Sequence, residues 1–131
     1  MNTTGIEEYI EKATAEGKRA GINSAYWICQ DSWGGRSGRD AKEIAESVIK
    51  RIDDGDPAIY DAYELPNLSG EWGGDLTPSD LFWICCRFEY DPDIMEHQFM
   101  LDEICTAWET AVSEHFFETI YADAKSFLFN K

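Results

Sequence analysis

Basic residues are scarce in this chain, and unevenly so. Eleven Lys and Arg stand against 26 Asp and Glu, a formal net charge of −15. Residues 1–50 hold eight acids and seven bases; residues 51–131 hold eighteen acids and four bases, and between Arg51 and Lys125 the sole base is Arg87. A surface that neutralises phosphates needs clustered Lys and Arg. Direct contact with DNA or RNA, or with an anionic membrane, is therefore not expected, and encounter with a basic partner is favoured. Long apolar runs are missing as well: none approaches the roughly twenty residues that a membrane-spanning helix needs. The N-terminus is acidic and amphipathic where a secretory signal would be basic and then apolar. A cytoplasmic protein is the expectation. No Cys-x-x-Cys spacing occurs, and Cys29, Cys85, Cys86 and Cys105 each lie among apolar or aromatic neighbours, which reads as buried, reduced thiols.

What is present suits one folded domain over residues 1–131. Hydrophobic residues make up 44%, with five Trp, six Tyr and seven Phe, a composition unlike that of acidic disordered chains. The longest stretch free of glycine and proline is Asp93 to Phe129, read as one long helix or two in line. Ile94, Leu101, Ile104, Cys105, Trp108, Val112 and Phe116 recur along it at helical steps. Beyond His115 the apolar positions, Phe117, Tyr121, Ala124 and Leu128, lie a quarter-turn or more around, so the helix either bends near 113–115 or meets a different surface there.

Ahead of it, Thr4 and Glu7 have capping-box spacing for a first helix near 6–18, which Gly17 and Gly21 are expected to end. Residues 25–30, Ala-Tyr-Trp-Ile-Cys-Gln, are too short for periodicity to separate helix from buried strand; helix is preferred. Ala41, Ile44, Ala45, Val48 and Ile52 predict an amphipathic helix over 40–53. Asp56-Pro57 opens a short helix through Tyr63, and Thr77-Pro78-Ser79-Asp80 opens another over 78–86. Residues 67–76 read as loop, and 87–90 alternate like a strand. The fold class that follows is mainly α: a helical bundle with a long C-terminal helix as spine, and a short strand pair at 25–30 and 83–90 as a variant.

Catalytic and metal chemistry find little support. His97 and His115 are five helical turns apart, ~27 Å, too far to ligate one metal. The acid clusters Asp53-Asp54-Asp56 and Asp91-Asp93-Glu96 miss the spacing of a calcium loop and fit helix ends and turns. Gly34-Gly35-Arg36-Ser37-Gly38-Arg39 lacks the lysine of a phosphate-binding loop and reads as turn and cap. Cys29 could act as a nucleophile only if exposed and paired with a base. No cofactor, metal or catalytic residue is assigned, and an enzyme is not expected.

Acidity is the feature on which a function can be argued. Glu96, Glu103, Glu114 and Glu118 fall on about one side of the last helix, with Asp102 and Glu109 nearby. Glu114 and Glu118 would be ~6 Å apart along the axis and Glu96 and Glu103 ~10 Å. Carboxylates at such intervals can stand in for the phosphates of a nucleic acid and compete for the Lys and Arg that bind them. The plain alternative is a solvated, solubilising face.

Residues 68–78, Leu-Ser-Gly-Glu-Trp-Gly-Gly-Asp-Leu-Thr-Pro, and 104–113, Ile-Cys-Thr-Ala-Trp-Glu-Thr-Ala-Val-Ser, resemble small acidic proteins of bacterial phages and plasmids. In those a Ser-Gly-Glu-Trp loop precedes a Thr-Pro helix start, and an Ala-Trp-Glu segment lies in a later helix. The likeness covers about half of the chain and departs at Gly73-Gly74, where Ala-Asp often follows the tryptophan. It brings no activity and no catalytic residue. It implies a mobile-element setting, in which small acidic proteins often inhibit host defence, as anti-restriction and anti-CRISPR proteins do. The expected partner is a nucleic-acid-handling host defence protein with a basic groove. The alternative is an accessory module that forms a homodimer through its aromatic C-terminal end.

Overall fold

The computed structural model describes residues 3–34, 39–68 and 76–129. Four α-helices account for most of them: α1 (Thr3–Cys29), α2 (Arg39–Asp53), α3 (Pro78–Cys86) and α4 (Met95–Phe129), with a π-helical turn, Gln30–Gly34, continuing α1 and a 3-10 turn at Pro57–Asp61. The fold is mainly α. No strand occurs among the described residues, so the strand-pair variant does not hold: 25–29 belong to α1 and 83–86 to α3.

Local chemistry sets several helix ends where the sequence places them. Asp56 caps the 3-10 turn by accepting from the Ala58 amide at 3.0 Å, with Pro57 in the first turn. At α3 the Thr77 hydroxyl accepts from the Asp80 amide at 3.1 Å, and the Asp80 carboxylate accepts from the Thr77 amide at 3.3 Å, a reciprocal capping box. Arg87 closes α3 in the left-handed region, φ 65°, donating its amide to the Trp83 carbonyl. The strand-like alternation at 87–90 is thus a helix exit. Asp91 then accepts from the Asp93 amide, and its own amide donates to Nδ1 of His97, so that α4 begins two residues after Asp93.

The first helix is where expectation and structure part. Gly17 and Gly21 do not end it; α1 runs through both to Cys29. The reason lies across the interface. A Cβ at Gly21 would sit 2.5 Å from the Val112 carbonyl oxygen, and one at Gly17 would crowd the Trp108 carbonyl. Glycine is required because the α4 backbone passes there, and that proximity outweighs its poor helix propensity of about 1 kcal/mol.

These contacts define a parallel pairing of α1 and α4. Ala13, Gly17, Gly21, Ala25, Cys29 and Trp33 are all buried at four-residue steps, and so are Met100, Ile104, Trp108, Val112, Phe116, Ile120 and Ala124. A step of four exceeds the helical 3.6, so each seam drifts about 40° per step and the helices wrap with a right-handed sense. The drift answers the question raised by the apolar residues after His115: α4 is one unbroken helix of 35 residues, and its end meets a different surface. The N-terminal half packs with α3 around Leu81, Phe82, Cys85 and Ile104. The C-terminal half packs with α2 and Ile59 around Trp33, Ala45, Phe116 and Ile120. Ile94, assigned to the α4 stripe, is exposed, and Leu101 and Cys105 are half-buried at its flank.

Trp33 is a core residue. It is fully buried, and its indole N–H donates to Oδ2 of Asp123 at 2.8 Å. Trp72, residues 35–38 of the glycine-rich turn, and residues 69–75 of the Ser-Gly-Glu-Trp loop lie outside the described residues.

Candidate protein-interaction surface

The six carboxylates Glu96, Asp102, Glu103, Glu109, Glu114 and Glu118 are all carried by α4, and the drift of the α1–α4 seam decides how each is presented. Opposite the drifting seam runs a line of exposed residues, also at steps of four: Gln98, Asp102, Thr106, Thr110, Glu114 and Glu118. Glu114 and Glu118 therefore point away from the core, while Asp102, also exposed, borders the contact of α4 with Leu68 and Pro78. Glu96 is exposed in the first turn, Glu109 is exposed at one flank, and Glu103 is half-buried at the other.

The row Glu96, Glu103, Glu114 and Glu118 that shares one side of a straight cylinder is not a continuous surface. Between Glu103 and Glu114, Ala107 and Ala111 occupy that side, and they are half-buried and buried. Gly17 of α1 lies against the methyl of Ala111. The crossing helix thus divides the carboxylates into two groups along α4, Glu103 and Glu114 being ~16 Å apart along the axis. Asp102 and Glu109 sit together elsewhere, lining a shallow depression of about 570 Å3 with Leu68, Pro78, Leu101 and Cys105.

No Lys or Arg pairs with any of the six among the described residues. Among the described residues the sole ionic neighbour is His115, whose Nδ1 is 3.9 Å from Glu118. Several bases instead pair with acids of their own segments: Lys12 with Glu8, Arg19 with Glu16, Lys42 with Glu46, Lys50 with Asp54, and Arg51 with Asp56. Among the described residues the negative field of α4 is thus uncompensated from its first turn to Lys125, whose ammonium stacks 4.6 Å from the Tyr121 ring.

Several acids outside α4 have structural partners. Asp53 accepts from the Tyr121 hydroxyl at 2.7 Å, tying α2 to α4. Asp54 and Asp56 hold Lys50 and Arg51, and Asp91 shapes the turn before α4. No cluster of three or more His, Cys, Asp or Glu among the described residues is arranged to hold a metal ion. His97, in the first turn of α4, packs against Phe82, Phe88 and Tyr90.

The thiols are poorly disposed to react. Burial pushes Cys29 up to about 12, helped by the nearby Asp123 carboxylate, which also takes its hydrogen bond. Burial likewise raises Cys86 to about 12, and Cys85 and Cys105 to about 11, the last reinforced by Glu109 and Asp102. A nucleophilic cysteine needs the opposite environment, so the requirement set for Cys29 is not met.

Exposed apolar side chains are the part of this surface that the periodic reading passed over. Met95 is 82% exposed and Phe99 55% exposed, one turn apart on α4, beside Glu96, Asp102 and Glu103. The signal was their position off the apolar stripe. Tyr26 and Trp27 form an edge-to-face pair on α1, with Trp27 61% exposed. At the C-terminus, Phe116 and Phe117 are buried, Phe127 packs against the core, and Phe129 remains 77% exposed. No helix among the described residues is long and apolar enough to cross a membrane. Comparisons with models of known protein families, with curated proteins and with solved structures returned no match for this chain.

Proposed function

We propose that this protein is a phage- or mobile-element-encoded inhibitor of a host defence system, of the anti-CRISPR or anti-restriction type, which binds the basic nucleic-acid groove of its target through the acidic surface of α4. It acts in the host cytoplasm, as a mimic of nucleic-acid charge and without chemistry of its own. The observation that carries this reading is the field of α4: six carboxylates on one helix without a Lys or Arg partner among the described residues, while several bases elsewhere are paired. A merely solubilising face would be expected to intersperse both signs, as α2 does with Lys42 and Glu46.

The division of the carboxylates by α1 shapes the expected contact. Glu114 and Glu118 form one outward group, Glu96 and Glu103 another, and a groove that receives both must place cations in two clusters instead of one continuous track. Replacing Glu96, Glu103, Glu114 and Glu118 by Lys should abolish capture of a defence protein from lysate carrying restriction and CRISPR systems, with the circular-dichroism spectrum unchanged. Undiminished capture by the folded variant would rule out the mimic mechanism.

Self-association through the C-terminal end keeps Phe129 as its support. Sedimentation of the full chain decides it: a monomer at all concentrations leaves this second reading without basis.

A further inference from the structure

The first turns of α4 carry more than charge. Met95 and Phe99 are separated by four residues, hence ~6 Å along the axis and on one face. Neither belongs to the two core clusters that hold Met100, Ile104, Phe116 and Ile120. Glu96 precedes Phe99 by three residues, and Asp102 and Glu103 follow it by three and four, the spacings at which helical side chains are neighbours. The result is an exposed apolar pair enclosed by three carboxylates, none of which has an ionic partner among the described residues.

Single exposed apolar residues are ordinary, but an exposed Phe and Met on consecutive turns within an acidic ring present a combined requirement. An anionic lipid surface would accept the apolar pair and repel the ring. Nucleic acid would stack on Phe99 and be repelled likewise. A protein pocket that is apolar at its floor and rimmed by Lys or Arg satisfies both features. Grooves that bind single-stranded nucleic acid have this composition, with stacking platforms for bases between cations for the phosphates. We infer that Met95 and Phe99 insert into such a stacking site on the partner, Phe99 in the place of a base and Glu96, Asp102 and Glu103 in the place of flanking phosphates. The proposal rests on the inhibitor reading and narrows its target to a single-strand-binding groove.

The test uses the full chain and two synthetic helical peptides of equal positive charge. One carries Trp and Leu along a face flanked by Arg; in the other that face is Ser and Gln. Titration calorimetry at low and high salt compares wild type with Met95→Ala/Phe99→Ala, with Glu96→Gln/Asp102→Asn/Glu103→Gln, and with Trp27→Ala as a control distant in sequence. All substituted side chains are exposed or half-buried, and circular dichroism verifies each fold. Wild type should prefer the apolar-faced peptide by at least tenfold. The Met95/Phe99 variant should lose that preference at both salt concentrations. The carboxamide variant should lose affinity for both peptides at low salt, and Trp27→Ala should behave as wild type. A Met95/Phe99 variant that retains the preference, loss of the preference in Trp27→Ala, or no binding of either peptide by wild type overturns the anchor. Retained preference together with charge-dependent binding would sink the anchor alone and leave the acidic reading standing; binding indifferent to the carboxylates would count against both. Concentration-dependent dimerisation of wild type that Phe99→Ala removes would assign the pair to a second copy of the chain and overturn the proposal.

Discussion

Gly17 and Gly21 illustrate how a residue's meaning depends on what faces it. Alanine at either position would favour the isolated helix by roughly 0.5–1 kcal/mol, yet its methyl group would press on the Trp108 or Val112 carbonyl of α4. These are backbone atoms that cannot rotate away, so overpacking should dominate, at about 2 kcal/mol or more. Gly17→Ala and Gly21→Ala should therefore each lower Tm by roughly 5–10 °C. Gly5→Ala, whose methyl meets nothing nearer than the Tyr9 ring at 3.9 Å, should not lower it. Thermal unfolding of the three variants checks the sign; a stabilised Gly21→Ala would mean that the helices are not in close contact. Glycine reads as a breaker when judged by propensity alone, and no local pattern reveals that a carbonyl lies opposite. The four-residue recurrence of Ala13, Gly17, Gly21, Ala25 and Cys29 was the legible trace of that contact.

The four cysteines, three buried and Cys105 half-buried, make a second residue-scale prediction. Their folded values of about 11 to 12 lie above the ordinary 9.0, so the folded state holds thiol protons that the unfolded state releases. That contribution to stability is complete below about pH 9 and is lost as pH rises towards 11–12. Urea titrations at pH 8, 9 and 10 should show stability falling from pH 9 upward, with a shallower fall in Cys29→Ala. Equal slopes in the two proteins would place the thiol proton elsewhere.

Among the elements, those announced by local chemistry were the ones the sequence delivered. Helix α2 lies where its periodic stripe puts it, and the Asp56-Pro57 turn and the start of α3 have their caps where the sequence places them, the turn ending at Asp61, two residues short of Tyr63. Helix α4 was legible in extent and type, since nothing in it opposes helix formation. The course of its buried face was only half legible: a stripe at steps of four rotates steadily, and on a helical wheel that rotation resembles a bend. The strand alternative at 25–30 and 83–90 arose because short apolar runs fit either structure, and packing against α4 decides for helix. Arg87 shows an element end under strain, with a non-glycine residue at φ 65°. Arg87→Gly should remove a left-handed penalty of about 1 kcal/mol without touching the core. Denaturant titration should give a higher midpoint for this variant, and a lower one would mean that the Arg87 side chain makes a stabilising contact of its own.

At the scale of the whole molecule, charge and fold are joined by the crossing of α1 over α4. Composition gave the sign and the segment of the acidic field, because Lys and Arg are absent from residues 88–124. It could not give the partition of the carboxylates, which follows from where α1 crosses α4 at Ala111. The same crossing leaves Met95 and Phe99 uncovered at one end and docks Phe116 and Phe117 at the other, so apolar exposure and negative charge coincide at the start of α4.

The acidic-mimic account is tested most directly by displacement of nucleic acid from its target. Once a defence protein has been captured, fluorescence anisotropy of a labelled oligonucleotide bound to it can be followed as this protein is added. The account predicts that wild type displaces the oligonucleotide, that raised salt weakens the effect, and that the variant with Lys at 96, 103, 114 and 118 is without effect. A target that binds this protein and its oligonucleotide together, with neither displacing the other, would contradict it.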